Sequence, residues 1–196
     1  MTENDAAEEK KRIRARALKR RDALSDWERE RGAVLLTERI LGHQWFYGSH
    51  TLLAFASYGS EIDTGEIIDE ALRLGKRVYL PRVMAEDGRQ EMEFFRIASR
   101  QELRPGYRGI LEPSPQGERY VYREGEVSRV LLLMPGVAFD GYRNRIGYGK
   151  GFYDRYLAGK ADLRLRSVAV GFQCQLMEER LPCDERDAAP YQVICV

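Results

Sequence analysis

Arg145, Lys150 and Asp154 fall within ten residues of one another and are interleaved with Gly147, Gly149 and Gly151. Glycine lets a main chain come close to a ligand, and the first N–H groups of a helix have no partners of their own. A glycine-rich loop that opens a helix therefore suits phosphate. Arg145 and Lys150 add positive charge where a polyphosphate would lie. Asp154, one turn into the helix, offers hard oxygen to a magnesium ion. The spacing is not a Walker A motif, because neither Ser nor Thr follows Lys150, and G-x-G-x-G is not the dinucleotide fingerprint G-x-G-x-x-G. The glycines alone would serve a tight turn equally well. The cations and the carboxylate turn the reading towards phosphate.

Two elements must hold that loop. Val130 to Leu133 is a short apolar run that reads as a buried strand, and Phe152, Tyr153, Tyr156 and Leu157 recur at helical spacing. Elsewhere the same alternation recurs. A highly charged helix is expected over residues 3–23, with Ile13, Ala17 and Leu24 as a sparse apolar stripe that leaves it on the surface of the fold. Ser25 and Glu28 form a capping box for a second helix to about Leu41, with Val34, Leu35 and Ile40 as core candidates and Trp27, Trp45 and Phe46 as core or staple residues. Thr51 to Ser57 is a strand. Asp63 and Glu66 suggest another capping box for a helix from about Thr64 to Leu74, closed by Gly75. Arg77–Val83 and Glu91–Ile97 are strands joined by a turn at Asp87-Gly88, residues 98–128 resist assignment, and Ser167–Phe172 and Val193–Val196 complete the set. Strands alternating with helices predict an α/β fold, one domain over residues 1–196 with a mainly parallel sheet flanked by helices in a Rossmann-like, three-layer arrangement.

Composition narrows the partners. The 196 residues are 43% hydrophobic and 32% charged with a net charge of +1, so nothing draws the whole chain to nucleic acid or to a membrane. No run approaches the length of a membrane span, and the first residues lack a signal-peptide core. Cys174, Cys183 and Cys195 form no C-x-x-C pair and lie far from His43 and His50, which disfavours zinc and points to free thiols in a cytosolic protein.

The stretch Pro135-Gly136-Val137-Ala138-Phe139-Asp140, followed by Arg145 to Arg155, resembles the signature of the 5-formyltetrahydrofolate cyclo-ligases. The resemblance extends to Lys10 and Arg14, which one helical face would present together, with Arg21 or its neighbour continuing to Leu24-Ser25. It also takes in a segment ending in Glu61-Ile62-Asp63-Thr64, Gly109 to Pro113, and the closing pattern Gln175, Pro182, Asp187. Tyr191 stands where that family often has an acidic residue.

The resemblance implies ATP-dependent closure of a folate ring, with magnesium and ATP required and a small-molecule folate, in some cases polyglutamylated, as substrate. It implies ATP contacts from Lys10, Arg14 and the run Arg145, Ile146, Gly147, Tyr148, Gly149, Lys150, Gly151, Phe152 and Tyr153. Folate contacts fall to Ala56, Glu61, Tyr148 and Phe152, the metal to Asp154 and Asp187, and the chemical step to Arg145, Lys150 and Tyr153. Taken without the resemblance, Glu61 would be a solvated loop residue, and Phe152 serves a core as well as a site. Two other readings stay open: a phosphate-binding enzyme akin to sugar-phosphate isomerases, and a nucleic-acid-binding module built on the basic first helix.

Overall fold

The protein, described by a computed structural model over residues 3–86 and 88–196, begins with three helices, α1 (Glu3–Asp22), α2 (Asp26–Leu41) and α3 (Gln44–Gly48). Asp87, expected in the turn beside Gly88, lies outside the described residues. Strand β1 (Thr51–Leu53) leads through α4 (Gly65–Arg73) to the hairpin β2 (Arg77–Glu86) and β3 (Arg89–Ile97). A short pair, β4 (Arg104–Pro105) and β5 (Leu111–Glu112), precedes β6 (Val130–Met134). Then follow β7 (Ala138–Asp140), β8 (Arg145–Ile146), α5 (Phe152–Leu157) and α6 (Ala161–Arg164). The chain closes with β9 (Ser167–Gly171), β10 (Leu176–Met177) and β11 (Gln192–Cys195).

The main sheet runs β11-β9-β6-β1-β2-β3, parallel throughout except for the β2–β3 hairpin at one edge. Successive strand residues point to opposite faces, and the core divides accordingly. Leu52, Leu131, Leu133, Val168 and Val170 pack with Leu36 and Ile40 of α2 and Ile67 and Ile68 of α4. Their neighbours Leu53, Leu132, Met134 and Ala169 pack with Tyr153, Tyr156 and Leu157 of α5 and Leu163 of α6. Helices thus cover both faces, as the alternation predicted. Among the described residues no helix is long and apolar enough to cross a membrane.

A second, smaller sheet of order β10-β7-β8 carries the signature stretch. Against it lies α1, whose Ile13 and Ala17 are buried with Val137, Ala138, Ile146, Met177 and Leu181. The narrow stripe read from the sequence is the face that packs.

Several local expectations are corrected. Val34 and Leu35 are exposed, and α2 buries Gly32, Leu36 and Ile40 instead. Those three are spaced four apart, and Gly32 is needed because a Cβ there would stand 2.6 Å from the Phe172 ring. Trp27 is 63% exposed with Arg31 stacked on it, so it is neither core nor staple, whereas Phe46 is buried and Trp45 partly so. Ser25 and Glu28 do form the capping box. Asp63 and Glu66 do not: Asp63 Oδ1 accepts the Gly65 N–H at 2.9 Å, and Thr64, at the cap, turns its hydroxyl onto Phe55 O at 2.6 Å. The first strand is shorter than Thr51–Ser57, since only Thr51–Leu53 pairs on both sides. Extending its register puts Pro135, which has no N–H to donate, beside Ala56.

Candidate active site

The glycine loop hangs from the small sheet, and buried side chains fix both of its ends. Gln175, 1% exposed, donates its amide to Gly136 O at 2.9 Å and Val137 O at 3.0 Å, and accepts the Phe172 N–H. Asp140, equally buried, closes the β7–β8 turn by accepting the N–H groups of Tyr142, Asn144 and Leu181. Gly149 and Gly151 sit at φ +87° and +64°, the left-handed region that favours glycine. Arg14 of α1 clasps the loop from outside, its Nε donating to Gly147 O at 2.8 Å. Arg155 ties the other end to the hairpin through Lys150 O and Gln90 O.

The loop forms one wall of a cleft of about 660 Å³. Every residue assigned from the sequence lines it: Lys10, Arg14, Ala56, Glu61, the run from Arg145 to Asp154, and Asp187. At one end the charges are paired. Lys10 Nζ meets Asp187 Oδ2 at 2.6 Å, and Arg145 donates to Asp154 Oδ1 at 3.0 Å. Asp154 Oδ1 also accepts the N–H of Ala188, the residue after Asp187, so the two carboxylates converge although 33 positions separate them in sequence. Lys150 Nζ has no partner among the described residues and stands exposed in the cleft wall.

The other end is built differently. The Ser57 hydroxyl donates to Ile62 O and accepts the Thr64 N–H, folding the loop that carries Glu61 back onto the sheet. Glu61 Oε2 accepts the Tyr58 N–H at 3.0 Å. Burial pushes the Glu61 carboxyl above its ordinary range, and the Tyr58 N–H, the Tyr148 hydroxyl and the Arg21 charge pull it back. Tyr148 is pushed up to about 12 by burial and the Glu61 charge. The Tyr153 ring belongs to the core, 9% exposed and edge-on to Phe94, yet its buried hydroxyl has no hydrogen-bond partner among the described residues. Arg145 Nε is likewise buried without one. Phe152 is half-buried and meets the ring of Tyr107 at right angles, 5.6 Å away.

Sequence reasoning missed two groups. Pro81, Val83, Met92, Tyr107 and Ile110, with Arg108 among them, form a mostly apolar wall of the same cleft. Half of them sit in the stretch left unassigned, and what holds that stretch is Glu112, 3% exposed, which accepts the Val83 N–H and pairs with Arg82 at 3.6 Å. Gly106 lies against this carboxylate, where a Cβ would clash at 2.1 Å. Glu112 stood in a segment that matched a known pattern, and that was the available signal. Arg21, 3% exposed, is the second omission, named before only as a continuation of the helix pattern.

Two carboxylates converging beside cations fit magnesium, which takes few protein ligands and completes its shell with water and phosphate oxygens. No hydrogen bond among the described residues uses Asp154 Oδ2 or Asp187 Oδ1. No cluster of three or more metal-ligating side chains occurs among the described residues, so a metal would be shared with a bound phosphate.

The sequence profile of the 5-formyltetrahydrofolate cyclo-ligase family matches residues 6–196. The mouse 5-formyltetrahydrofolate cyclo-ligase is 29% identical over an alignment of 196 positions, covering 94% of this chain and 92% of the mouse protein. The enzyme of that name from Escherichia coli is 32% identical over 169 positions, covering 86% and 90% respectively. Among solved structures, the 5,10-methenyltetrahydrofolate synthetase of Aquifex aeolicus superposes with a TM-score of 0.72 at 31% identity, covering 91% of this chain and 84% of that one.

Proposed function

The chain belongs to the 5-formyltetrahydrofolate cyclo-ligase family, and on that premise we propose that it converts 5-formyltetrahydrofolate and ATP to 5,10-methenyltetrahydrofolate, ADP and phosphate. The observation that carries the proposal is the single cleft in which a cation-rich glycine loop with two carboxylates faces Glu61 and an apolar wall. One end suits a triphosphate and the other a flat heterocycle with hydrogen-bond donors on its edge.

The formyl oxygen on N5 is the nucleophile. It attacks the γ-phosphorus of ATP, the bond to the β–γ bridging oxygen breaks, and ADP leaves. N10 then adds to the activated formyl carbon. Expulsion of phosphate and loss of the N10 proton leave the methenyl bridge. Phosphorylation is needed because the oxygen of a formamide is otherwise a poor leaving group.

The residues act by placement and charge. Lys10 and Arg14 steer the polyphosphate from α1. Loop amides and Arg145 hold its oxygens, and Lys150, unpaired beforehand, neutralises charge as it moves to the bridge oxygen. Asp154 and Asp187 would hold magnesium, which supplies Lewis-acid polarisation of the phosphates. Glu61 accepts from the donor edge of the pterin, Ala56 and Phe152 flank the ring, and the Tyr153 hydroxyl supplies an uncommitted donor beside the reacting groups. The free thiols of Cys174, Cys183 and Cys195 fit a reducing compartment, and we place the enzyme in the cytoplasm.

The direct test follows methenyltetrahydrofolate by absorbance. Product is expected only when 5-formyltetrahydrofolate, ATP and magnesium are all present. Turnover without ATP, or none under any condition, overturns the proposal.

A further inference from the structure

Arg21 is a guanidinium at 3% exposure that makes no ion pair among the described residues. Burying a charge without a contacting counter-charge costs stability, so such a group calls for another explanation. Its nitrogens are all donors. Nε donates to Ser60 Oγ at 2.9 Å, and the Ser60 hydroxyl in turn donates to Asp22. A terminal nitrogen donates to the Tyr148 oxygen at 2.8 Å. Because that oxygen accepts from Arg21, the proton of Tyr148 is free to point elsewhere, and its neighbour is the Glu61 carboxylate. Arg21 can only donate to Tyr148, which leaves the Tyr148 proton for the Glu61 carboxylate lining the same cleft.

This relay joins three separate pieces of chain, the end of α1, the loop bearing Glu61 and the glycine loop bearing Tyr148. Lys10, Arg14 and Arg21, spaced by four and seven, share one face of α1. The first two meet Asp187 and Gly147, and the third reaches the opposite end of the cleft.

We infer that Arg21 is a positioning residue: through Tyr148 it orients the Glu61 carboxylate and so sets the affinity for the folate. The inference rests on the function proposed above for Glu61. Removing Arg21 leaves Tyr148 free to turn its hydroxyl to water, and Glu61 loses both a donor and a nearby positive charge. The groups facing Glu61 are then Tyr148 of the loop, Tyr153 of α5 and the Tyr58 N–H. None of these carries positive charge, so the carboxylate takes up a proton at higher pH and accepts fewer hydrogen bonds from substrate.

The experiment measures binding of 5-formyltetrahydrofolate and of ATP, separately and across pH, to the parent, Arg21→Met, Arg21→Lys, Tyr148→Phe and the double variant Arg21→Met/Tyr148→Phe. Arg21→Met and Tyr148→Phe are each expected to weaken folate binding about ten-fold, the size of one charge-assisted hydrogen bond, with ATP binding nearly unchanged in Arg21→Met. The double variant should be little worse than either single one, because both break the same relay. The acid limb of folate affinity should move to higher pH in Arg21→Met. Arg21→Lys guards against a variant that fails to fold: one ammonium cannot serve Ser60 and Tyr148 in the same geometry, and folate affinity should still fall several-fold. Parent-like folate affinity in a folded Arg21 variant, or additive losses in the double one, overturns the relay. A parent that binds no folate overturns the function proposed for the cleft, whatever the variants do.

Discussion

The two ends of the cleft solve opposite problems. At the end of Lys10, Arg145, Asp154 and Asp187, positive and negative groups are already joined to each other. On the function proposed above, binding a magnesium–triphosphate there would exchange partners: phosphate oxygens would replace carboxylates on the cations, and the metal would replace cations on the carboxylates. Charge is never left bare in either state. At the end of Glu61, the protein has spent its own donors on holding one carboxylate in place, and the Tyr153 hydroxyl beside it is buried without a partner among the described residues. An exchanging site tolerates the loss of one member better than a fixed one does. Lys150 is the exception at the first end, since it has nothing to exchange.

That contrast can be broken or sharpened by substitution. The largest effect is expected at Lys150. Lys150→Ala should lower kcat by about a hundred- to a thousand-fold, the usual loss for a group that stabilises transition-state charge, with a smaller change in ATP affinity. Arg145→Lys should not restore full rate in a parallel comparison, because an ammonium lacks the planar fork that spans Pro135 O and Asp154. Parent-like turnover by Lys150→Ala would reduce the loop to a turn. Next comes Glu61→Gln, expected to weaken folate binding by about ten- to a hundred-fold while ATP binding holds. Equal damage to both ligands would erase the division between the two ends.

Asp154→Asn and Asp187→Asn should each raise the magnesium concentration needed for half-maximal rate, by about ten-fold. A magnesium titration that superposes on the parent's removes both from the metal. Lys10→Met should weaken ATP binding only a few-fold and barely change the melting temperature, since ion pairs that still reach solvent contribute about 1 kcal/mol or less. Substitution is a cleaner probe than deleting residues 1–16, which would also remove buried Ile13. The smallest effect concerns stability. Burial raises the Glu61 carboxyl, so its contribution to folding is complete at low pH and is lost as pH rises through the raised value. Glu61→Gln should therefore melt slightly higher than the parent at neutral pH, with the difference closing as pH falls to the ordinary carboxylate range. A gap that widens on acidification would contradict the direction of the shift.

What could be seen in the sequence was what neighbours in the chain decide. The run Val130–Leu133, the glycines after it and the helical spacing of Phe152, Tyr153 and Tyr156 announce their own geometry. The buried face of α2 does not: Val34, Leu35 and Leu36 are equally apolar, and only the Phe172 ring lying on Gly32, far along the chain, selects Leu36. The wall at Tyr107 and Ile110 was hidden for the same reason. Strands of two residues carry no periodicity, and their position depends on Glu112 reaching Arg82 and Val83. The candidate site residues were singled out mainly through resemblance to a known signature. Arg21, one arginine in a helix crowded with them, looked no different from its solvated neighbours.

The contact between Lys10 and Asp187 spans 177 positions of the chain. During synthesis at about 5–20 residues per second, a span of that length takes on the order of ten to thirty-five seconds to emerge. For most of that time α1 has no site to complete, and the residues that cover Ile13 and Ala17, from Val137 to Leu181, are still to come. A broad apolar face would be exposed to every other nascent chain over that interval. A stripe two residues wide in a helix dense with charge stays soluble while it waits. The polarity of α1 thus meets a demand of synthesis before it meets any demand of the site proposed for it.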